Sequence, residues 1–470
     1  MRFDRARAAQ SGGAQRQGSK SGSSRSVRLG YCMNLHPSES FTDVEHALET
    51  FVAPLKSRLS PSASFGVGMY LGAPVARELA ADVGAQDALA ARLRDGGIDP
   101  FTFNAFPYGG FQEDGLKTSV YAPTWMEPER LAYTVNVARV AARLNGERPG
   151  GHVSISTHPG AYGADLTDRS ALRLCAENMA RAVAEFAAIR DAGGPLIVLS
   201  IESEPDASAR NARALAEYQI FARLVGSRVL QDEFGRSLPE SGALMARHLG
   251  TCLDCCHSAV EFEDAVDAVR LAALPEGPPR SKPGATPKKS ARGSSVPTVP
   301  PPSSLGKIQF SSALRLPSPA AAPESQAALL GLDEPRFLHQ VTAQTAAGEF
   351  VHLADLPALR SELASGDSPW LAAREWRCHF HVPVDLLEAA GLQTTRAHAD
   401  EILRIALEPE TKWPSNELHV EIETYTWSIL ETESPKAAPA PDEIVLGLQK
   451  EYAHVVDQLH ASGWSGTPAE

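Results

Sequence analysis

The stretch LIVLSIESEP (196–205) is a short apolar run that ends in two carboxylates and a proline. Three later runs follow the same plan, in which a β-rich segment carries a polar side chain near its C-terminal end and turn residues follow. The polar residues of the four runs are, in chain order, Glu202, Asp254 with His257, Gln309, and Glu423. Polar groups at the C-terminal ends of successive parallel strands meet on one face of a (β/α)8 barrel. The pattern therefore predicts an α/β barrel whose mouth carries the chemistry.

Strand-like and helix-like segments alternate along most of the chain. The strand-like segments are RLGYCMNLHP (28–37), FGVGMYLGA (65–73), FTFNAFPYGG (101–110), HVSISTHPG (152–160), LIVLSIESEP (196–205), GTCLDCCH (250–257), KIQFSS (307–312) and LHVEIETYTW (418–427). Helical periodicity is clear across 42–59, 127–145 and 168–192. Such alternation predicts parallel strands joined by crossover helices, and eight units in succession predict closure into a barrel.

Three regions break this rhythm. Residues 1–27 are rich in Arg, Gly, Ser and Gln and lack the apolar core of a secretory signal, which predicts a disordered basic leader. Residues 275–304 are dominated by Pro, Ser, Lys and Arg, so we expect a disordered insertion. Residues 335–385 are predicted to add a small β element before the eighth strand, with a hairpin turn at 346–348. The remainder of 28–470 is predicted to be the barrel.

Composition disfavours several classes of function. The net charge of −13 argues against nucleic-acid binding by phosphate neutralisation. No apolar run approaches the roughly 18 residues of a transmembrane segment. Three of the six cysteines crowd together at Cys252, Cys255 and Cys256, which is a poor layout for a disulfide framework and is typical of a reducing cytoplasm. We therefore expect a cytoplasmic protein whose partner is a small-molecule metabolite.

Several segments together resemble EboE, a metabolite-traffic family of the xylose-isomerase-like TIM-barrel superfamily. They are LGYCMNLHP, NAFPYGGF, SISTHPGAY, IESEP, LDCCHSAVEFED, KIQFSSALR, FLHQV, HFHVPV and EIETYTW. The resemblance runs from about residue 28 to about residue 430, leaving out the Pro-rich insertion. It implies a link to the traffic of isoprenoid-like or aromatic secondary metabolites, with protein partners encoded in the same metabolite-export gene cluster.

The resemblance also implies a metal site, because the superfamily binds a divalent cation through residues of strands five to eight. The matching positions here are Glu202, Asp254, Gln309 and Glu423. Gln309 stands where the superfamily usually has a histidine, and His381 could supply the missing nitrogen. His257, three residues after Asp254, is a further candidate ligand. Oxygen and imidazole donors of this kind suit Mn²⁺, Mg²⁺ or Zn²⁺.

Each part of this set has an alternative interpretation. Asp254 and His257 could form a hydrogen-bonded cap of the following helix instead of a metal site. Cys252 and Cys255 with His257 offer a zinc site, although no second Cys or His pair follows at the usual spacing. Glu204, two residues after the first glutamate, is expected to be a solvated loop charge.

Two pairs of residues share a strand face by the two-residue period of a β-strand. Glu421 and Glu423 point into the barrel or its mouth, where an unpaired carboxylate needs either a cation or an Arg or Lys partner. His379 and His381 share a face with Phe380 turned away, which fits a metal pair or two structural histidines. Both interpretations remain open for each pair.

A further set of polar residues is predicted to contact the substrate. Its members follow strands or lie near the eighth one: His36, Asn104, His158, Arg315, His339 and Glu421. The planar guanidinium of Arg315 could meet a phosphate or carboxylate, and a surface ion pair is its alternative. For His339 the alternative is a hydrogen bond at the barrel rim.

Together these features predict a metal-dependent enzyme of the isomerase or epimerase type. The metal would polarise a carbonyl and hydroxyl pair, and Glu202 and Glu423 would be the catalytic acid and base. The alternative is a non-catalytic carrier that holds a metabolite in the same barrel mouth during export, which the glutamine at position 309 favours.

Overall fold

The computed structural model describes residues 1–5, 25–166, 168–273, 304–365, 368–430 and 439–466. Most of the predicted leader, residues 6–24, lies outside this part of the chain. So does the predicted Pro-rich insertion, except for its last residue.

The strands are named in chain order. They are β1 (Arg2–Arg5), β2 (Ser26–Tyr31), β3 (Phe65–Tyr70), β4 (Ile98–Asn104), β5 (Val153–Thr157), β6 (Ile197–Glu202), β7 (Leu249–Asp254), β8 (Leu305–Phe310), β9 (Ser312–Pro317), β10 (Val341–Gln344), β11 (Phe350–Leu353), β12 (Glu375–Val382), β13 (Glu388–Ala389), β14 (Leu392–Thr394), β15 (Glu417–Ile422) and β16 (Trp464–Gly466).

The helices are named in the same way. They are α1 (Phe41–Ala47), α2 (Ala53–Leu59), α3 (Ala73–Ala81), α4 (Val83–Asp95), α5 (Pro128–Asn145), α6 (Arg169–Asp191), α7 (Ala212–Asp232), α8 (Leu238–His248), α9 (Cys255–Val260), α10 (Ala265–Ala273), α11 (Pro323–Gly331), α12 (Leu356–Ala364), α13 (Arg396–Ala406), α14 (Trp427–Leu430) and α15 (Pro441–Ala461). A π-helical turn, Leu48–Val52, joins α1 to α2 as the predicted helix over 42–59 requires. None of these helices is long and apolar enough to cross a membrane.

The larger sheet is a TIM barrel. Eight parallel strands lie in the order β2-β15-β8-β7-β6-β5-β4-β3. The two end strands meet through a single parallel bridge between Cys32 and Gly68 rather than a continuous ladder. Helices pack outside the strands, so each strand is buried on both sides and tolerates the near-continuous apolar runs seen in the sequence. The predicted fold class is confirmed.

The N-terminal residues differ from the predicted disordered leader. Arg2–Arg5 form β1, which pairs antiparallel with β2 and with β16 from the far end of the chain. Phe3 is buried between them. A single apolar residue in a basic stretch gives no periodicity, so the sequence offers no sign of this strand.

A second, antiparallel sheet covers one side of the barrel mouth. Its strand order is β11-β10-β12-β9-β14-β13, and it has its own apolar core around Trp370 and Trp376. The sheet spans residues 312–394, which is wider than the predicted 335–385, because β9 starts only one residue after β8 ends. The hairpin expected at 346–348 joins β10 to β11, and Gly348 adopts a φ of 86° there.

The barrel interior is polar rather than filled by branched apolar side chains. Near the N-terminal ends of the strands, Arg28 and Arg148 pair with Asp99 and Glu417 at 2.9–3.1 Å. One layer higher, Lys307 of β8 pairs with Glu421 of β15, and both side chains are fully buried. These ion pairs neutralise the lower barrel and leave the unpaired carboxylates at the mouth.

Gly68 on β3 makes room for the Glu421 carboxylate, with which a Cβ at that position would overlap. We expect Gly68→Ala to lower the free energy of unfolding by about 1–3 kcal/mol through overpacking. Urea unfolding of the two proteins measures the difference. Gly331→Ala is the matched control because nothing lies within 4 Å of its added methyl group. Equal stability of both variants would contradict the close fit.

Glu451 of α15 supports the end of β15 from outside the barrel. Its Oε2 accepts hydrogen bonds from the Thr424 hydroxyl (2.6 Å) and the Val384 amide (3.0 Å), whereas Oε1 has no partner. Burial raises the pKa of Glu451 from 4.5 to about 8. Between about pH 4.5 and pH 8, the Glu451 carboxyl group is therefore protonated in the folded protein and ionised in the unfolded chain.

This raised pKa predicts that stability contributed by Glu451 is lost as pH rises from about 4.5 to about 8. The expected slope is at most about 1.4 kcal/mol per pH unit. Glu451→Gln keeps the acceptor oxygen and cannot ionise, so its stability should depend less on pH. Denaturant unfolding at several pH values compares the two, and parallel profiles would refute the assignment.

Candidate metal centre

Four strand ends bring the predicted ligands to the barrel mouth. Glu202 ends β6, Asp254 ends β7, Gln309 lies on β8, and Glu423 follows β15 by one residue. The strand register pairs Asp254 with Gln309, and Gln309 with Glu421, so these positions stand at the same height. Glu202 instead pairs with Cys252, and Glu423 lies just beyond its strand, yet these carboxylates, more than 200 residues apart in the sequence, meet at the barrel mouth as the strand-end argument requires.

Three carboxylates form the centre of this site. Oxygen atoms of Glu202, Asp254 and Glu423 all lie within 4.8 Å of one another, and all three residues are buried. Glu202 Oε2 and Asp254 Oδ2 have no hydrogen-bond partner. Gathering like charges away from water is costly unless a cation neutralises them. The donor set therefore fits a divalent metal ion, which carboxylate oxygens bind well.

Asp254 caps the following helix and still has one oxygen without a partner. Its Oδ1 caps helix α9 by accepting hydrogen bonds from the His257 amide (2.8 Å) and from the Ser311 hydroxyl (2.9 Å). Its Oδ2 is the atom left without a partner. One oxygen fixes the orientation of the carboxylate, and the other remains available to a ligand.

Glu423 is held by two amide groups. Asn34, in the turn after β2, donates from Nδ2 to Glu423 Oε1 at 2.6 Å, and Asn104 at the end of β4 donates to the same atom at 3.2 Å. Burial, with Glu202 and Asp254 nearby, raises the pKa of Glu423 well above its ordinary value. Sequence analysis missed Asn34, although it also follows a strand end.

His257 faces two groups of side chains. Its Nδ1 lies 2.9 Å from the Ser203 carbonyl oxygen and 3.2 Å from Glu202 Oε1. Burial lowers the pKa of His257, but the carboxylates of Asp254, Glu204 and Glu202 outweigh burial and raise it well above the ordinary value. The histidine is therefore protonated when these carboxylates are ionised and no metal competes.

The second sheet brings two more histidines to the mouth. His379 and His381 of β12 approach the His257 ring, and Phe380 between them turns away to stack on His339 at 3.8 Å. Burial lowers the pKa of His379 well below its ordinary value and that of His381 to about 4. Both rings are therefore neutral near pH 7.

Glu204 corrects an expectation, since it is not a solvated loop charge. It is 5% exposed, and its Oε2 lies 3.3 Å from His257 Nε2. Burial raises its pKa to about 8. The loop that carries Glu204 folds inward beneath the second sheet, whose Gln340 amide donates to the Pro205 carbonyl at 3.3 Å. That sheet is remote in sequence, so no local signal indicates burial.

Gln309 lies at the cavity, whereas Cys252 and Cys255 form no ligand group with His257. Gln309 lines the cavity with its Oε1 2.7 Å from Cys252 Sγ. Among the described residues, Cys252 and Cys255 join no group of potential ligands with His257. The zinc site considered for these three residues is therefore wrong, because α9 begins at Cys255 and turns it away from the His257 ring.

Of the predicted substrate contacts, Asn104 lines the cavity and the others do not. Glu421 is paired with Lys307, and Arg315 with Glu375 at 2.7 Å. The remaining histidines have these partners: His36 stacks on Phe51 at 4.0 Å, His339 contacts Glu334 at 3.0 Å, and His158 packs on Phe106 and Tyr121. Each of these side chains has a structural partner, as the alternative interpretations of Glu421, Arg315 and His339 predicted.

The cavity above the carboxylates contains about 520 Å³ of space, part of which is open to solvent. Its floor is polar, and its walls are largely aromatic: Phe106, Phe111, Tyr121, Phe337 and Tyr425. A few polar groups at the base of an apolar pocket are typical of a small-molecule site.

No family model and no curated protein matches the chain. Solved structures that resemble it include the probable 3-DHS dehydratase AsbF involved in petrobactin synthesis from Bacillus anthracis (15% identity, 52% of this chain and 69% of that one, TM-score 0.30). Another is the IOLI protein with a binding zinc atom (10%, 52% and 68%, TM-score 0.31). A third is D-psicose 3-epimerase with D-tagatose from Clostridium cellulolyticum H10 (15%, 53% and 70%, TM-score 0.32). The EboE-type resemblance finds no counterpart among these matches.

Proposed function

We propose that the protein is a divalent-metal-dependent enzyme of the isomerase or epimerase type, acting on a small hydroxy-carbonyl or sugar-like metabolite. The observation that supports it is the group of three buried carboxylates, two of them with an unpartnered oxygen, at the floor of the cavity. A divalent ion held by Glu202, Asp254 and Glu423, with Gln309 beside them, would polarise a carbonyl and its neighbouring hydroxyl as a Lewis acid.

The chain's own residues suit a proton transfer at the carbon next to that carbonyl. Glu202 and Glu423 both line the cavity, and burial raises the pKa of each above the ordinary carboxyl value. Such pKa values bring a carboxyl closer to the working pH of a general acid or base. One glutamate would remove the proton and the other would return it. Asn34 and Asn104 hold Glu423 in place during the transfer.

The cavity sets the size and surroundings of the substrate. The enclosed part of the cavity is small, because part of its space of about 520 Å³ is open to solvent, and this suits a small metabolite rather than a polymer. The aromatic walls keep bulk water away from the carboxylates, which strengthens their interaction with a developing charge.

Solvent isotope exchange tests the proposal across a range of candidate substrates. Protein loaded with Mn²⁺, Mg²⁺ or Zn²⁺ is incubated in D₂O with a panel of ketoses and other 2-hydroxy-carbonyl compounds. We expect deuterium to enter the carbon next to the carbonyl of at least one compound, as detected by proton NMR. Folded, metal-loaded protein that exchanges no member of the panel would count against an isomerase.

The second candidate is a non-catalytic carrier in a metabolite-export pathway, with an isoprenoid-like ligand. The aromatic walls of the cavity favour it, because they offer apolar contact to such a molecule. Native mass spectrometry of the purified protein separates the two candidates. An apolar metabolite that stays bound after a chelator has removed the metal supports the carrier. A metabolite that is released together with the metal supports the enzyme.

A further inference from the structure

Two imidazole nitrogens approach the Nε2 atom of His257 beside the carboxylate centre. His257 Nε2 lies 3.2 Å from His379 Nε2 and 3.3 Å from His381 Nε2. His257 belongs to α9 of the barrel, and the other two belong to β12 of the second sheet. The cluster therefore forms only where the two sheets meet.

The hydrogen bonds of two of these rings fix where their protons are. His257 Nδ1 faces the Ser203 carbonyl at 2.9 Å, and His381 Nδ1 faces the Glu423 backbone carbonyl at 3.0 Å. A carbonyl oxygen can only accept, so each Nδ1 carries a hydrogen and donates it. In the neutral ring the lone pair is then on Nε2, which points at the cluster.

His379, the third ring, also donates a hydrogen bond from Nδ1. His379 Nδ1 lies 2.6 Å from Gln340 Oε1. The other side of that amide is fixed, because Gln340 Nε2 donates to the Pro205 carbonyl at 3.3 Å. His379 therefore also donates from Nδ1, and its Nε2 lone pair faces His257 Nε2 at 3.2 Å and the Tyr425 hydroxyl at 3.5 Å. Metal-binding histidines in proteins are oriented by this kind of Nδ1 hydrogen bond.

The two separations measured from His257 Nε2 are those expected between neighbouring ligands of one zinc ion. In a tetrahedral zinc site with Zn–N bonds of about 2.0–2.1 Å, neighbouring nitrogens are about 3.3 Å apart. The measured separations are 3.2 and 3.3 Å.

Glu204 provides a fourth donor. Its Oε2 lies 3.3 Å from His257 Nε2, and ligand atoms of Glu204, His257 and His379 all lie within 4.8 Å of one another. The carboxylate is buried and has no Arg or Lys partner among the described ion pairs. Two imidazoles and one carboxylate are a donor set that suits zinc better than magnesium, and His381 brings a third imidazole to 3.3 Å from His257 Nε2.

We propose that Glu204, His257 and His379 hold a second divalent ion, zinc by its donor chemistry, next to the carboxylate centre, with His381 as a further imidazole donor beside His257. His257 lies between the two sites, because its Nδ1 atom faces Glu202 and its Nε2 atom faces the other histidines. The barrel mouth then holds two metal ions of different ligand type. This inference does not depend on the isomerase proposal.

Metal content gives the first test. The full-length protein is stripped with a chelator, dialysed against zinc alone and analysed by mass spectrometry of the metal. We expect two zinc ions per chain in the wild type, and one in His379→Gln/His381→Gln. His46→Gln, a change on the surface helix α1, is the matched control and should keep two. A folded double variant with the zinc content of the wild type would overturn the proposal.

X-ray absorption at the zinc edge gives a test that needs no variant. Wild-type protein with less than one zinc per chain should show several imidazoles around the metal, because the nitrogen-rich site binds zinc first. A spectrum without imidazole scattering would overturn the proposal even if the double variant failed to fold. One zinc per chain with imidazole ligands would support the histidine site and count against the carboxylate centre.

Discussion

Glu423→Gln is expected to lower turnover by about 10²–10⁴-fold, the usual contribution of a general acid or base. The amide keeps the acceptor oxygen for Asn34 and Asn104, so the variant should fold and retain the shape of the site. It can neither take up a proton from carbon nor offer a charged oxygen to the metal. Steady-state kinetics on a substrate identified by isotope exchange measure the loss.

Glu202→Gln should have an effect of the same order, because Glu202 is the other buried carboxylate that faces the cavity. Glu78→Gln, at an exposed position of α3, serves as the control and should not change turnover. Glu202→Gln and Glu423→Gln proteins that fold normally and turn over the substrate at the wild-type rate would remove the basis of the isomerase proposal.

Glu421→Gln is expected to lower the free energy of unfolding by about 3–5 kcal/mol, since it leaves a buried ammonium without a counter-charge. Lys307 is fully buried, and its remaining hydrogen-bond partner is the Ser156 hydroxyl at 3.3 Å. Chemical denaturation of the variant and the wild type measures the difference. The exposed pair Arg139–Glu185 is the control, and its disruption should cost at most about 1 kcal/mol.

A double variant separates loss of the charge pair from loss of packing. Lys307→Met with Glu421→Gln removes both charges and fills most of the same space, so it should be more stable than Glu421→Gln alone. If the single and double variants were equally destabilised, the ion pair would not be the reason that Glu421 matters, and packing around Gly68 would be.

The sequence was sufficient for the barrel and for most of the carboxylates at its mouth. Apolar runs followed by turn residues identify the strands, and parallel strands in a barrel all present their C-terminal ends to one face. The position of Glu202, Asp254 and Glu423 together follows from these two facts. Asn34 obeys the same logic and could have been included.

The sequence was less informative about residues whose role depends on a remote partner. His36, His158, Arg315 and His339 follow the strand-end pattern, yet each is occupied by a neighbour that local periodicity does not show. Glu421 is the same case, because its cation, Lys307, comes from the neighbouring strand β8.

The sequence by itself therefore determined the order of the elements, the eight βα units of the barrel, and the placement of the carboxylates at the C-terminal ends of its strands. Only the tertiary structure decided that His379 and His381 meet His257, that Glu204 is buried, and that Arg2–Arg5 form a strand. The physical reason is that hydrophobic periodicity encodes which face of an element is buried, whereas the docking of one sheet against another decides what it is buried against.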